Sequence, residues 1–293
     1  MKQKYKWFVG VMMAGVFGIG TTSCVDEIKF GNSFLEKAPG GSATQDTIFN
    51  SVTYTRQFLN TCYSRQYYGL PYVNSSVDDF PDSSNPYTGK FDALTDCWQL
   101  HYSGTTVYNS YYSGTHTANY GIRGDIFGYT REGVWQTVRW CWLLLENVDR
   151  VPGMGEDEKV KMKAEAKCLI AARYFDMFRN YGGLPLIYAS FMGTETNYQL
   201  PRATVEETVN YMDKMLEEAI ESGGLKWAYE GADFNSDSGH WTLAGAMALR
   251  CKLWQFAASP LFNDTQGYAG GRSEAEQQHL VWYGSKRPEL WNK

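Results

Sequence analysis

Apolar and polar positions alternate along this chain with a helical rhythm that is clearest beyond residue 130. Val134, Val138, Cys141, Leu145 and Val148 step by four and three, and so do Ala164, Cys168, Ala171, Phe175 and Phe178. The same spacing recurs at Val205, Val209, Met212, Leu216 and Ala219, and again at Thr242, Ala246, Leu249, Leu253 and Phe256. Each set lays a buried stripe along one helix face, so four amphipathic helices are predicted. An earlier helix is predicted from Asp46 to about Tyr68, with Ile48, Val52, Leu59 and Cys62 near one face.

Boundary residues agree with these helices. Thr204-Val205-Glu206-Glu207 has capping-box spacing, and Gly182-Gly183 and Gly223-Gly224 stand where C-cap glycines belong. Pro260 stops the last helix. Ala244, Gly245, Ala246 and Ala248 make that helix thin enough for a close neighbour. The expected fold is mainly α, with helical pairs stacked as in tetratricopeptide arrays, although the strict repeat signature is absent. Residues 69–130 are rich in Gly, Ser, Thr, Asn and Tyr and carry no sustained period, which predicts long irregular loops.

The amino terminus has a different pattern. A basic stretch, Met1 to Lys6, precedes a run from Trp7 to Gly20 in which every residue is apolar or glycine. This is the layout of a secretory signal, and it is too short for the roughly 20 residues of a membrane span. Thr21-Thr22-Ser23-Cys24 follows, a small residue before a cysteine, which predicts lipoprotein cleavage and a thioether-linked diacylglycerol on Cys24. Thr21 departs from the usual leucine. Two or three acyl chains anchor firmly where one binds marginally. The predicted organisation is a signal peptide over 1–23, a polar tether over 24–45 and a helical body over 46–293.

Removing Lys2, Lys4 and Lys6 leaves 24 basic against 32 acidic residues, a net charge of −8. With no Lys/Arg run or basic patch, nucleic acid is not expected as a partner. Five cysteines remain after Cys24, without a CxxC spacing, so neither a full disulfide framework nor a zinc site is indicated. Cys141, Cys168 and Cys251 lie in helical segments, where they read as small apolar fillers. Motifs of the GxSxG, HExxH, GxGxxG and P-loop kinds are absent and the four histidines are scattered, so the chain reads as a binding protein without a cofactor or metal rather than an enzyme.

Several segments resemble the SusD/RagB family, the surface nutrient-binding lipoproteins of Bacteroidetes. They are Cys24 with Phe34-Leu35-Glu36-Lys37-Ala38-Pro39-Gly40-Gly41; Ala164-Glu165-Ala166-Lys167 through Arg173-Tyr174-Phe175-Asp176 to Tyr181-Gly182-Gly183-Leu184-Pro185-Leu186-Ile187; Pro201 to Glu207; and Ala244 to Phe262. The resemblance implies a SusD-like α-α superhelix, lipidation at Cys24, and surface export signalled by Asp26-Glu27. It also implies a partner, a SusC-like TonB-dependent outer-membrane transporter over which the lipoprotein acts as a lid, and a glycan as ligand. Family members continue beyond this length, which suggests that the chain is a C-terminally truncated form.

Sugars stack their C–H faces on aromatic rings and hydrogen-bond amides and acids. On that chemistry Trp98 and Tyr102, with Asp78 and Asp79 nearby, form the preferred candidate site, and Trp282-Tyr283 the second. The bland alternative for each ring is ordinary packing. The leading expectation is delivery of oligosaccharide to a transporter. The alternative is a lipoprotein of the same build that binds peptide or protein, or serves mainly as a structural lid.

Overall fold

The computed structural model describes residues 44–64, 96, 97, 99, 112–113, 132–191 and 199–293. A compact body runs from Thr47 to Lys293. The elements among the described residues are α1 (Gln45–Phe49), α2 (Val52–Tyr63), α3 (Glu132–Asn147), α4 (Glu156–Tyr181), α5 (Val205–Glu221), α6 (Ala232–Asp237), α7 (Leu243–Ala258) and α8 (Glu274–Gln277), with 3₁₀ turns at Val148–Arg150 and Pro288–Asn292. No strand occurs among the described residues.

The helix predicted from Asp46 is two helices. Ser51 is extended and N-caps α2 through the Tyr54 N–H, while the Thr55 hydroxyl donates to the carbonyls of Ile48 and Ser51. Local side-chain bonds of this kind compete with a continuous helix. Residues 65–68 of that expectation lie outside the described residues. The other stripes fall inside α3, α4, α5 and α7, and the α3 stripe continues through the 3₁₀ turn at Val148. Thr242 corrects the fourth set: it is the N-cap of α7, its hydroxyl accepting from Gly245 N–H at 3.0 Å, and not a stripe position.

Helix α4 is the centre of the body. It spans 26 residues, and from Cys168 to Phe178 every residue is buried. Helices α3, α5 and α7 pack against it, and α7 also packs on α5. Tyr174 meets Tyr211 of α5 with ring centroids 4.8 Å apart, and Phe175 meets Phe256 of α7 edge-on at 5.4 Å. Cys141 and Cys168 are fully buried fillers as expected, and so is Cys62, whereas Cys251, expected as a third filler, is exposed. A 3.6-residue repeat does not say which face of a uniformly apolar helix turns inward, and α7 turns Cys251, Met247 and Ala248 outward.

The end of α4 is fixed by close backbone contacts. Gly182 adopts φ 75° and donates to the Phe178 carbonyl at 2.8 Å, and Gly183 donates to Leu280 at 2.6 Å. A Cβ on Gly183 would collide with the Ala203 carbonyl. The extended run that follows is pinned from both helices of the pair. Leu184 N–H donates to Thr208 Oγ1 at 3.1 Å, the Tyr174 hydroxyl donates to the Pro185 carbonyl at 2.8 Å, and Tyr211 donates to the Ile187 carbonyl at 2.5 Å. Arg202 closes the joint on the carbonyls of Gly183 and Tyr181. The predicted capping box is present, with Thr204 Oγ1 accepting from Glu207 N–H at 3.2 Å and Glu207 accepting from Thr204 N–H at 2.8 Å.

Asp176 gives this core a pH dependence. Burial pushes its carboxyl up to about 6 despite the nearby Arg179, Arg173 and Lys252 charges. The folded protein therefore binds more protons than the unfolded chain between about pH 4 and 6, and the contribution to stability is lost as pH rises through that window. The displacement corresponds to roughly 3 kcal/mol. In urea denaturation from pH 3.5 to 7, Asp176→Asn should gain stability relative to wild type by this order as pH rises; a difference independent of pH refutes it.

Candidate functional site

One face of the N-terminal half of α4 forms the back of an open cleft. Asp157, Lys161 and Glu165 recur at four-residue steps along that face, Arg56 and Asn60 come from α2, and Asp233, Ser236 and Asp237 come from α6. The cleft has a volume of about 800 Å³. The loop after α5 approaches because it carries glycine where the backbones meet: Gly223 has φ 72°, and a Cβ on Gly224 would stand 2.8 Å from Lys161 N.

Glu165 is the floor and is fully buried. Its Oε2 accepts the Tyr63 hydroxyl at 2.8 Å and lies 2.9 Å from His240 Nδ1. The Tyr63 oxygen in turn accepts the Trp241 N–H at 2.8 Å, and the Tyr63 and His240 rings stand 4.4 Å apart. Burial, reinforced by the Glu165 charge, drives the Tyr63 phenol far above its ordinary value, so it stays a neutral hydroxyl that donates to Glu165 and accepts from Trp241. Glu165 Oε1 has no hydrogen-bond partner and lies 3.8 Å from Lys161 Nζ.

Ion pairs line the walls. Arg56 holds Glu158 with two bonds of 2.5 and 2.9 Å, Lys161 holds Asp237 at 2.6 Å, and Lys226 pairs with Asp233. Burial works to raise the Asp237 carboxyl, but the Lys161 hydrogen bond and charge outweigh it and hold it below the usual range. Lys161 also sits 5.1 Å over the Tyr229 ring. Trp227 and Phe234, each more than half exposed, directly follow the cleft residues Lys226 and Asp233. The arrangement offers hydrogen-bond acceptors and donors along an open polar cleft.

No protein-family profile matches the chain, and no curated protein does. Solved structures do. A SusD-like protein from Bacteroides fragilis NCTC 9343 superposes with a TM-score of 0.55 at 20% identity, over 78% of this chain and 43% of that one. The protein BT4246 gives a TM-score of 0.55 at 22% identity, over 83% of this chain and 38% of its own. Surface glycan-binding protein A from Bacteroides fluxus gives 0.50 at 16% identity, over 71% and 41%. The chain has a SusD/RagB-type fold. It spans about two fifths of the length of these structures, and at these identities the likeness is one of fold.

Within this SusD/RagB-type body, neither Trp282 nor Tyr283 is among the described residues that line the cleft. Cys24, Asp78, Asp79, Trp98 and Tyr102 lie outside the described residues. Trp282 is half-buried, its indole N–H donating to the Asp264 carbonyl at 2.9 Å. Tyr283 corrects the second candidate pair: it is 3% exposed, with the Arg287 guanidinium 5.1 Å over its ring, so it is a core ring and presents no face to a ligand. Its loop folds back because Tyr283 N–H donates to the Phe262 carbonyl. Sequence reasoning passed over Glu165 and His240. The available signal was an acid inside an apolar run, Ala164-Glu165-Ala166, and an acid–base–acid row at helical spacing.

Tyr63→Phe removes the hydroxyl shared by Glu165 and Trp241 and leaves the part-buried Trp241 N–H and the buried Glu165 each short of a partner. It should cost about 1–3 kcal/mol in urea denaturation. A loss below about 0.5 kcal/mol would show that water serves these groups equally well.

Proposed function

We propose that this chain is a cell-surface glycan-binding lipoprotein that delivers oligosaccharide to a SusC-like TonB-dependent transporter. The observation that carries the reading is the SusD/RagB-type fold, shared with a surface glycan-binding protein, on a chain that opens with a lipoprotein signal. Residues 1–23 are the export signal, 24–45 the tether and 46–293 the binding body. Cys24 carries the lipid, and Asp26-Glu27 directs the protein outward across the outer membrane. Trp98 and Tyr102, with Asp78 and Asp79, supply the stacking rings and acceptors of the main ligand site. The protein binds and passes on its ligand without chemistry.

Cys24→Ser should abolish lipid attachment and release the protein from membranes, read by fractionation and by loss of globomycin sensitivity. Anchoring that persists unchanged and still responds to globomycin refutes the assignment of Cys24. Calorimetry with a panel of polysaccharides should find a binding glycan, with Trp98→Ala weakening it at least tenfold, about 1.4 kcal/mol. Binding to no glycan, with retention of peptides instead, sinks the sugar assignment.

A further inference from the structure

Two buried thiols meet where α2 packs on α3. Cys62 of α2 and Cys141 of α3 are both fully buried and belong to one apolar cluster. Their side chains stand within hydrogen-bond reach of each other, and that contact, with burial, raises the Cys141 thiol well above its ordinary range. The other described cysteines are placed differently. Cys168 feels the charge of Glu165, and Cys97 and Cys251 are exposed. Cys62 and Cys141 are free thiols in this structure.

The connection between the two helices is long. Residues 64–131 join α2 to α3, and over 69–130 the sequence carries no sustained hydrophobic period. Seating α2 on α3 therefore closes a long loop, at an entropic cost that grows with its length. A covalent link at the meeting point would take that freedom from the unfolded chain, where it opposes folding most.

We infer that Cys62 and Cys141 are a disulfide site, oxidised in the exported protein to a cross-link that staples α2 to α3. For its place in the cell this rests on the reading that the chain is exported, because disulfides persist in oxidising compartments. The co-reactant is a second disulfide, of a small thiol or of an oxidising protein. The thiolate of one cysteine attacks it, forming a mixed disulfide and releasing one thiol. The thiolate of the other cysteine then displaces the remaining thiol. Cys62 and Cys141 together give up two protons and two electrons, and the incoming disulfide is reduced to two thiols. In the folded body both sulfurs are inaccessible and the Cys141 thiolate is disfavoured, so the exchange belongs to a stage before α2 seats on α3. Once the body closes, the cross-link is out of reach of reductant for the same reason.

The test follows the sulfurs of the wild-type full chain. One sample is reduced, unfolded and refolded in glutathione buffer; the other is recovered, with its cell fraction noted, from cells expressing the chain with its signal. Both are denatured in N-ethylmaleimide and mapped as peptides by mass spectrometry without reduction. A Cys62–Cys141 peptide pair, lighter by two hydrogens than the two reduced peptides, is expected in both. The link should survive dithiothreitol on the folded protein and be lost to dithiothreitol in urea. Reduction should lower the urea midpoint of wild type and leave that of the Cys62→Ala, Cys141→Ala double variant unchanged. Helical refolded protein, or protein from the membrane fraction, that carries maleimide on both Cys62 and Cys141 overturns the disulfide. A link from either residue to another cysteine overturns it as well. A link present after refolding, with the cellular protein reduced and in the cytoplasmic fraction, overturns the export reading and leaves the pairing standing.

Discussion

A fully buried acidic side chain constrains the N-terminal half of this body. Glu165 lies on the central helix α4 with its side chain fully buried. Burying an ionised acid costs several kcal/mol unless donors replace its hydration. Its hydrogen-bond partners come from distant parts of the chain, Tyr63 at the end of α2 and His240 before α7, while the Lys161 charge stands 3.8 Å away one turn earlier on α4. Meeting this one charge therefore requires α2, α4 and the start of α7 to stand in a fixed relation. The cleft is the space left above that meeting point, which is why its floor is polar although α4 is apolar in the turns that follow.

The second joint is held by backbone rather than charge. Gly182 and Gly183 let the chain leave α4 directly against Leu280 and Ala203, where any side chain would collide. The extended run after them exposes carbonyls and N–H groups that have no ladder partner. Thr208, Tyr174 and Tyr211 provide the hydroxyls that satisfy them. The motif through which the chain resembles SusD/RagB proteins is thus a structural device that fixes the crossing from α4 to α5. Its Gly182–Ile187 part positions the helical pair.

Outside these joints, α5 and α7 are tied at the surface. Asp213 accepts from Arg250 Nε at 2.7 Å and from the Trp254 indole at 2.8 Å, and Glu217 takes the second arm of the guanidinium. A charge-assisted fork of this kind adds geometric specificity to an otherwise apolar contact. The C-terminal loops close on the same body through Asn263, whose side chain bridges the backbone of Arg287 in both directions.

Local regularities were legible in the sequence because they depend on neighbours three or four residues away. The stripes of α3, α4, α5 and α7, the Thr204–Glu207 capping box and the glycines closing α4 and α5 all belong to this class. The export signal and the lipidation proposed at Cys24 are likewise linear readings, and they lie outside the described residues. Tertiary structure alone decided the rest. Whether Cys251 or Cys168 is buried depends on which face of an apolar helix meets a neighbour. Tyr283 looks like a loop aromatic until Phe262 and Arg287 close over it. Tyr63, Glu165 and His240 are separated by 102 and 75 positions, and no local pattern links them. They become a site only when packing brings them around one buried charge.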